Sequence, residues 1–310
     1  MDKPALTRAP DPAVGSVPLY PDYIAPCLAT DIGRPPTGNK WAHEIKFDGF
    51  RMQLHLRHGV VTIYSREGHD WTERYRSVAD QAARLTAEHL VIDGEMVVLR
   101  NDGTSDFWAL QKGAHTSVSD RVTYFAFDLL YQNGEDLRRR PFLERKELLR
   151  KVLDTSLDRI RYVEHFETDG PTVWAHAHKI NVEGIVSKVI NSPYRSVRGT
   201  DWIKTPCQYR DTLLVAGLAF DGADFSGLYL ARRKNGALLY AGEVKDGITD
   251  ETAAGLRVLL EPLITSKVPF SKVPKLNAKW VEPIVEVRIL HRGGLIAERV
   301  RRPVFEGVVD

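Results

Sequence analysis

A lysine held close to an aspartate and a glycine gives this sequence its first chemical foothold: His43-Glu44-Ile45-Lys46-Phe47-Asp48-Gly49-Phe50-Arg51. A lysine fixed beside a strand can serve as a nucleophile once it loses its proton. Alone, such a short pattern reads first as an exposed charged pair at a hairpin end. Four further stretches place polar residues where strand cores favour apolar ones. Asp93-Gly94-Glu95 sets two carboxylates on one strand face, and Phe125-Ala126-Phe127-Asp128 puts an aromatic beside a carboxylate. Glu183 and Lys188 flank a short strand, and Asp201-Trp202-Ile203-Lys204 adds another lysine. Singly, each reads as exposed strand charge. With Arg51 and Arg66 they make up what catalysis on a nucleoside triphosphate requires. Carboxylates hold Mg²⁺, cations neutralise phosphate oxygens, and an aromatic face stacks on a base. Burial and the nearby Lys188, Lys204 and Arg51 are expected to lower the pKa of Lys46.

The elements that must position these residues follow from periodicity. Apolar residues occupy odd positions before Gly49 (Ile45, Phe47) and even ones after it (Phe50, Met52, Leu54, Leu56). The register therefore breaks at the glycine, which tolerates a bend. Residues 41–66 read as two or three strands with a turn at His58-Gly59. Tyr75, Val78, Ala82 and Leu85 mark a helical stripe. Val91–Leu99, Arg121–Tyr131 and Gly184–Ile190 read as strands. Pro141 opens a helix through Leu153, and Pro171 opens one with Val173, Ala177 and Ile180 on one face. After Cys207, strands over 212–220, 225–232, 236–244, 280–290 and 295–305 accompany a helix near 249–262. Five short strands and a helix suggest a small Greek-key barrel of OB-fold type. The fold class is α+β with two domains: a flexible tail over 1–21, a mainly antiparallel-sheet catalytic domain over 22–208, and an OB-fold β-barrel over 209–310.

At 310 residues and 43% hydrophobic, the chain has material for two ordinary cores. A net charge of +2 permits nucleic-acid binding without arguing for it. Two distant cysteines, Cys27 and Cys207, give neither a disulfide framework nor a metal-ligand spacing. The sequence shows no signal peptide and no apolar run long enough to span a membrane. A cytoplasmic protein is the expectation.

The ordered set of motifs resembles the covalent nucleotidyltransferase superfamily of ATP-dependent DNA ligases, RNA ligases and capping enzymes. Within it, the chain is similar to the ligase domain of bacterial ligase D. The resemblance rests on Lys46-Phe47-Asp48-Gly49, Ser65-Arg66-Glu67-Gly68, Asp93-Gly94-Glu95, Phe127-Asp128-Leu129-Leu130-Tyr131 and Trp202-Ile203-Lys204. Its most specific part is Glu183 through Lys188 followed by Ser192-Pro193-Tyr194-Arg195. It implies that Lys46 attacks ATP to form lysyl-AMP, passes AMP to a DNA 5′-phosphate and leaves a 3′-hydroxyl to seal the strand. The backbone around Glu44 and Ile45 would read adenine, Phe127 would stack on it, and Arg51 and Glu95 would meet the ribose. Arg66, Lys188 and Lys204 would meet phosphate, Asp48 would orient the nucleophile, and Glu95 and Glu183 would hold Mg²⁺, or Mn²⁺ as the alternative ion. The implied partners are double-stranded DNA with nicks or ends, and Ku, and the implied state is a nucleoid-associated monomer. The implied setting is DNA repair by non-homologous end joining, in a module without polymerase or nuclease domains.

Two positions depart from the family pattern. Pro206 stands where a second lysine is usual, and Val309 where a terminal segment usually has arginine. Slower self-adenylylation is the expectation from these. The competing readings are an RNA ligase or capping-type enzyme, and an impaired nucleotidyltransferase-like protein that binds DNA ends.

Overall fold

The computed structural model describes residues 20–112, 121–153, 157–271, 276–293 and 299–309. Most of the expected tail, residues 1–19, and part of the expected 295–305 strand lie outside them. The chain separates into two compact units, Met1–Pro206 and Cys207–Asp310.

The strands of the first unit are β1 (Leu28–Asp31), β2 (Trp41–Lys46), β3 (Phe50–Arg57), β4 (Val60–Ser65), β5 (His89–Val98), β6 (Val122–Gln132), β7 (Glu135–Asp136), β8 (Ile160–Tyr162), β9 (His165–Phe166), β10 (Gly184–Val189) and β11 (Arg198–Pro206). One sheet has the order β1-β11-β10-β2-β9. The other runs β4-β3-β5-β6-β7, with β8 also paired to β6. Among the described residues, four α-helices accompany them: α1 (Arg76–Ala82), α2 (Phe107–Lys112), α3 (Phe142–Val152) and α4 (Gly170–Lys179).

The change of apolar parity at Gly49 marks a passage between sheets rather than a bend within one strand. Lys46 ends β2 in one sheet, and Phe50 begins β3 in the other. The glycine is required by space: a Cβ there would lie 2.0 Å from the Met96 carbonyl oxygen. Phe47 fastens the crossing by stacking on Phe125, with ring centroids 4.0 Å apart. Gly94 answers a similar demand, since its Cβ would meet the Tyr124 ring at 2.4 Å. That ring's hydroxyl lies 2.8 Å from the Ile92 carbonyl and 3.1 Å from that of Met52.

One face of the β3–β5–β6 sheet is apolar. Met52, Leu54, Ile92 and Met96 pack there with Val78 and Ala82 of α1. The same strands also bury Gln53, His55 and Asp93. The segment leading into β1 is tied to these polar residues. The Gln53 side-chain amide exchanges hydrogen bonds of 3.0 and 2.9 Å with the backbone of Ile24, as a neighbouring strand would. Tyr20 donates to the Leu90 carbonyl at 3.1 Å. One helical expectation fails locally. Ile180 caps α4 instead of facing inward and is exposed, because the chain turns through left-handed Asn181 immediately after it.

The second unit contains β12 (Gln208–Asp221), β13 (Asp224–Lys234), β14 (Ala237–Val244), α5 (Asp250–Leu260), β15 (Ala278–Trp280), β16 (Glu286–Arg292) and β17 (Val304–Val308). Its sheet has six strands rather than five. The run expected over 280–290 divides into β15 and β16 around Pro283, which cannot donate to a ladder. The long β12 pairs with β16 over its first half and with β15 further along. Leu256 and Leu260 of α5 pack among Leu213, Val215, Leu230 and Val287. This is an OB-fold-type arrangement without a closed barrel. Among the described residues, the bridge Asp246–Val304 joins the ends of the sheet in place of a full ladder.

Gly49→Ala should destabilise the fold by about 1–3 kcal/mol through overpacking against the Met96 carbonyl. Denaturant unfolding checks this, and an unchanged midpoint would refute the steric account of the crossing.

Candidate active site

Between the two sheets of the first unit lies a cavity of about 420 Å³, a size that suits a small ligand. Ile45 and Lys46 at the end of β2, Arg51 of β3 and Glu95 of β5 line it, with Phe127 of β6. Glu44, Lys188, Lys204 and the exposed Arg66 complete the expected residues in its wall. Glu183 joins the group through Lys46, whose Nζ donates to its Oε2 at 2.5 Å. Asp48 lies buried within the sheet crossing, and its backbone N–H donates to Ser105 Oγ at 3.3 Å. Trp71, Glu67, Arg198 and Trp202 also line the cavity.

The electrostatics of Lys46 run opposite to the sequence expectation. Burial acts to lower its pKa, but Glu183, Glu95 and Asp48 outweigh burial and hold the ammonium above its ordinary value. The cations expected to lower it are held by acids of their own. Lys188 Nζ lies 2.6 Å from Glu44 Oε2, and Lys204 Nζ lies 3.5 Å from Asp31 Oδ2. Arg51 makes a two-pronged pair with Asp93, at 3.0 and 2.6 Å. Its remaining nitrogen donates to the Cys27 carbonyl at 2.6 Å, and Tyr194 donates to Asp93 at 2.6 Å. Arg51 is thus a braced part of the wall.

Glu95 is the other perturbed group. Burial pushes its carboxyl up to about 7, against the opposing charges of Lys46 and Arg51, and Glu183 and Asp48 push it the same way. Carboxylates therefore accumulate around one ammonium, and the Lys46 nitrogen stands where added positive charge is favoured. A partly hydrated Mg²⁺ needs only one or two protein carboxylates besides phosphate oxygens, so Glu95 and Glu183 suit such an ion. Among the described residues, no three His, Cys, Asp or Glu side chains form a ready-made metal cage.

Glu44 has a role that its position in the sequence did not disclose. Its buried carboxylate sits between two lysines: Lys188 at 2.6 Å and Lys146 of α3 at 2.7 Å. The Lys188 ammonium also lies over the rings of Trp202, Phe127 and Phe142, at 4.0, 4.5 and 4.7 Å. Asp128, next to Phe127, is fully buried in a two-pronged pair with Arg145 at 2.8 and 2.9 Å. Arg145 and Lys146 were missed as site residues. The available signal was helical phase: Phe142, Arg145, Lys146 and Leu149 follow the i, i+3, i+4, i+7 spacing of a buried stripe, and all four are buried. Pro206 ends β11, and its carbonyl accepts from Trp174 Nε1 of α4 at 3.3 Å.

Comparison with known proteins places this geometry in context. Residues 30–205 match the family described as the ATP dependent DNA ligase domain, and residues 221–310 match the ATP dependent DNA ligase C terminal region. The multifunctional non-homologous end joining protein LigD of Pseudomonas aeruginosa is 36% identical, over 95% of this chain and 36% of its own length. The LigD of Mycolicibacterium smegmatis is 31% identical, over 93% of this chain and 38% of its own. The chain thus spans little more than a third of these curated relatives. A solved mycobacterial DNA ligase D, complexed with ATP and MES, superposes with a TM-score of 0.57 at 28% identity, covering 93% of this chain and 95% of that one. Among the described residues, no helix is long and apolar enough to cross a membrane.

The raised Glu95 pKa has a signed consequence for stability. A carboxyl that moves from 4.5 to about 7 on folding binds its proton more tightly in the folded state. Its contribution is complete below pH 4.5 and is lost as pH rises through about 7. In EDTA, urea unfolding of Glu95→Gln and wild type should show a gap that widens in favour of the variant across that interval, then levels. A constant gap would refute the desolvated carboxyl.

Proposed function

The chain belongs to the ATP-dependent DNA ligase family, and on that footing we propose that it seals breaks in duplex DNA through an adenylylated Lys46, in non-homologous end joining. The observation that carries this reading is Lys46 itself. It leaves the end of β2 at a cavity lined by Phe127, Arg66 and Lys204, with Glu183 at 2.5 Å from its nitrogen. The likeness to LigD over nearly the whole of this chain supports the end-joining setting.

In this reading, the neutral Lys46 amine attacks the α-phosphorus of ATP. A nitrogen–phosphorus bond forms as the bond to pyrophosphate breaks. AMP then moves to the 5′-phosphate of a DNA break, and the 3′-hydroxyl displaces it. Phe127 stacks on the base, and the backbone of Glu44 and Ile45 faces its edge. Arg66 and Lys204 meet phosphate oxygens. Asp48 holds the crossing that carries Lys46, while Arg51 and Lys188 act as fixed charges in the wall. Glu95 and Glu183 would hold Mg²⁺, or Mn²⁺ in its place, and such an ion would supply charge neutralisation at the phosphates. Neutralising these two carboxylates would weaken what keeps Lys46 protonated, leaving Asp48 as the remaining acid. The substrate is duplex DNA with nicks or ends, and Ku is the proposed recruiting partner.

With ATP labelled at the α-phosphate and Mg²⁺, the wild type should become labelled and seal a nicked duplex, while GTP should give no label. Lys46→Ala should lose both activities by about a thousandfold or more. Sealing of pre-adenylylated nicked DNA without labelling by ATP would localise a weakness to the first step, where Pro206 departs from the family. A wild type that fails to seal even pre-adenylylated DNA would overturn the ligase reading.

A further inference from the structure

Two adjacent cations of α3 are buried near the cavity, and one of them, Lys146, reaches its wall without lining it. Arg145 is fully buried and bound to Asp128, and it also donates to the carbonyls of Arg140 and Ser192 at 2.6 and 3.0 Å. Lys146 is equally buried. It lies 2.7 Å from Glu44 Oε1, donates to the Val163 carbonyl at 2.6 Å and sits 4.0 Å from the centre of the Tyr162 ring. Glu44 and Val163 line the cavity, and so does Lys188, held by the other oxygen of Glu44. Lys146 therefore touches two wall residues directly and a third through one carboxylate.

We propose that Lys146 is a positioning residue for nucleotide binding, acting through Glu44 to fix where Lys188 stands in the cavity wall. This rests on the reading of the cavity as the ATP site. Two features separate Lys146 from an ordinary core lysine. It shares one carboxylate with a second lysine, so with both ammoniums protonated the three side chains sum to one positive charge beside the ligand space, a charge that Glu44 holds against burial and the repulsion of Lys188. With so little water near, that charge is weakly screened. Without Lys146, Glu44 and Lys188 would remain as a neutral pair, free to shift toward the vacated volume. The cavity would then lose both its net positive wall and the register of the Lys188 ammonium against Trp202 and Phe127. Electron-rich ligands, such as a nucleoside triphosphate, would bind less well, while Lys46 and its carboxylates would stay in place.

The test is lysyl-AMP formation as a function of ATP concentration, with thermal unfolding alongside. Lys146→Met keeps the length of the side chain and removes the charge. It should raise KM for ATP about tenfold and change kcat by less than about threefold. Lys146→Arg keeps the charge but not the shape, and should recover half or more, but not all, of the lost affinity on a logarithmic scale. Because Lys146 acts on Lys188, the double variant Lys146→Met, Lys188→Met should be little worse than Lys188→Met alone. A wild-type KM in Lys146→Met, or losses that multiply in the double variant, would overturn the proposal. Should Lys146→Met fail to fold, Lys146→Arg decides: a KM raised above wild type supports positioning, and an unchanged KM refutes it. Wild type that takes no label from ATP would instead remove the reading on which the proposal stands.

Discussion

A crossing of three residues, Phe47-Asp48-Gly49, joins the two sheets of the first unit and fixes where Lys46 stands. The chain leaves one sheet at Lys46 and enters the other at Phe50, so the amine lies at the seam between layers rather than on a solvent face. The seam is tight because Gly49 passes directly against the Met96 carbonyl, and Met96 follows Glu95. The backbone contact that needs a glycine thus brings a carboxylate toward the lysine. Close packing and charge placement are here one constraint, since side chains at the seam have no room to drift.

The price of such a seam is desolvation. Burying an ammonium or a carboxylate unpaired is costly, and breaking a buried pair costs about 3–5 kcal/mol. The first unit meets this with paired charges: Arg145 with Asp128, Arg51 with Asp93, and Lys146 and Lys188 with Glu44. Each pair brings a backbone carbonyl or an aromatic face with it, so the cations also set the positions of loops and rings. Lys46 differs in kind. Its partner Glu183 precedes β10 rather than packing in a core, and Glu95 shares the same charge. The wall charges sit in compact buried pairs, whereas the Lys46 ammonium is held by several carboxylates at once, a perturbed setting of the kind that gathers at functional sites.

Much of the fold was legible because strand alternation and turn chemistry are local. His58-Gly59 carries the paired positive φ angles of a tight hairpin turn and sits where the sequence marked it, and Asn133-Gly134 turns the chain the same way between β6 and β7. The parity change at Gly49 was legible as a break, but not as a passage between sheets, because alternation records faces and is silent about which layer a face belongs to. Most of the cavity lining was legible through motif order, with Asp48 and Glu183 beside it rather than in its wall. Its electrostatics were not: the cations expected to act on Lys46 are paired with acids of their own, and the motif acids Glu183, Glu95 and Asp48 act on it instead. Arg145 and Lys146 escaped notice because a charged residue on a helix is ordinarily read as solvent-facing, even where its phase points inward.

That phase has a consequence for how the chain can change length. Successive residues of an α-helix are separated by about 100° around its axis. Inserting or deleting one residue in α3 ahead of Arg145 would swing the guanidinium and the ammonium away together, releasing Asp128 and Glu44 in one event. The turns around Gly134 and Gly236 face no such demand, since extra residues there need only lengthen a loop. Among homologous chains, length variation should therefore be absent from the first turn of α3 and gather at the hairpin ends.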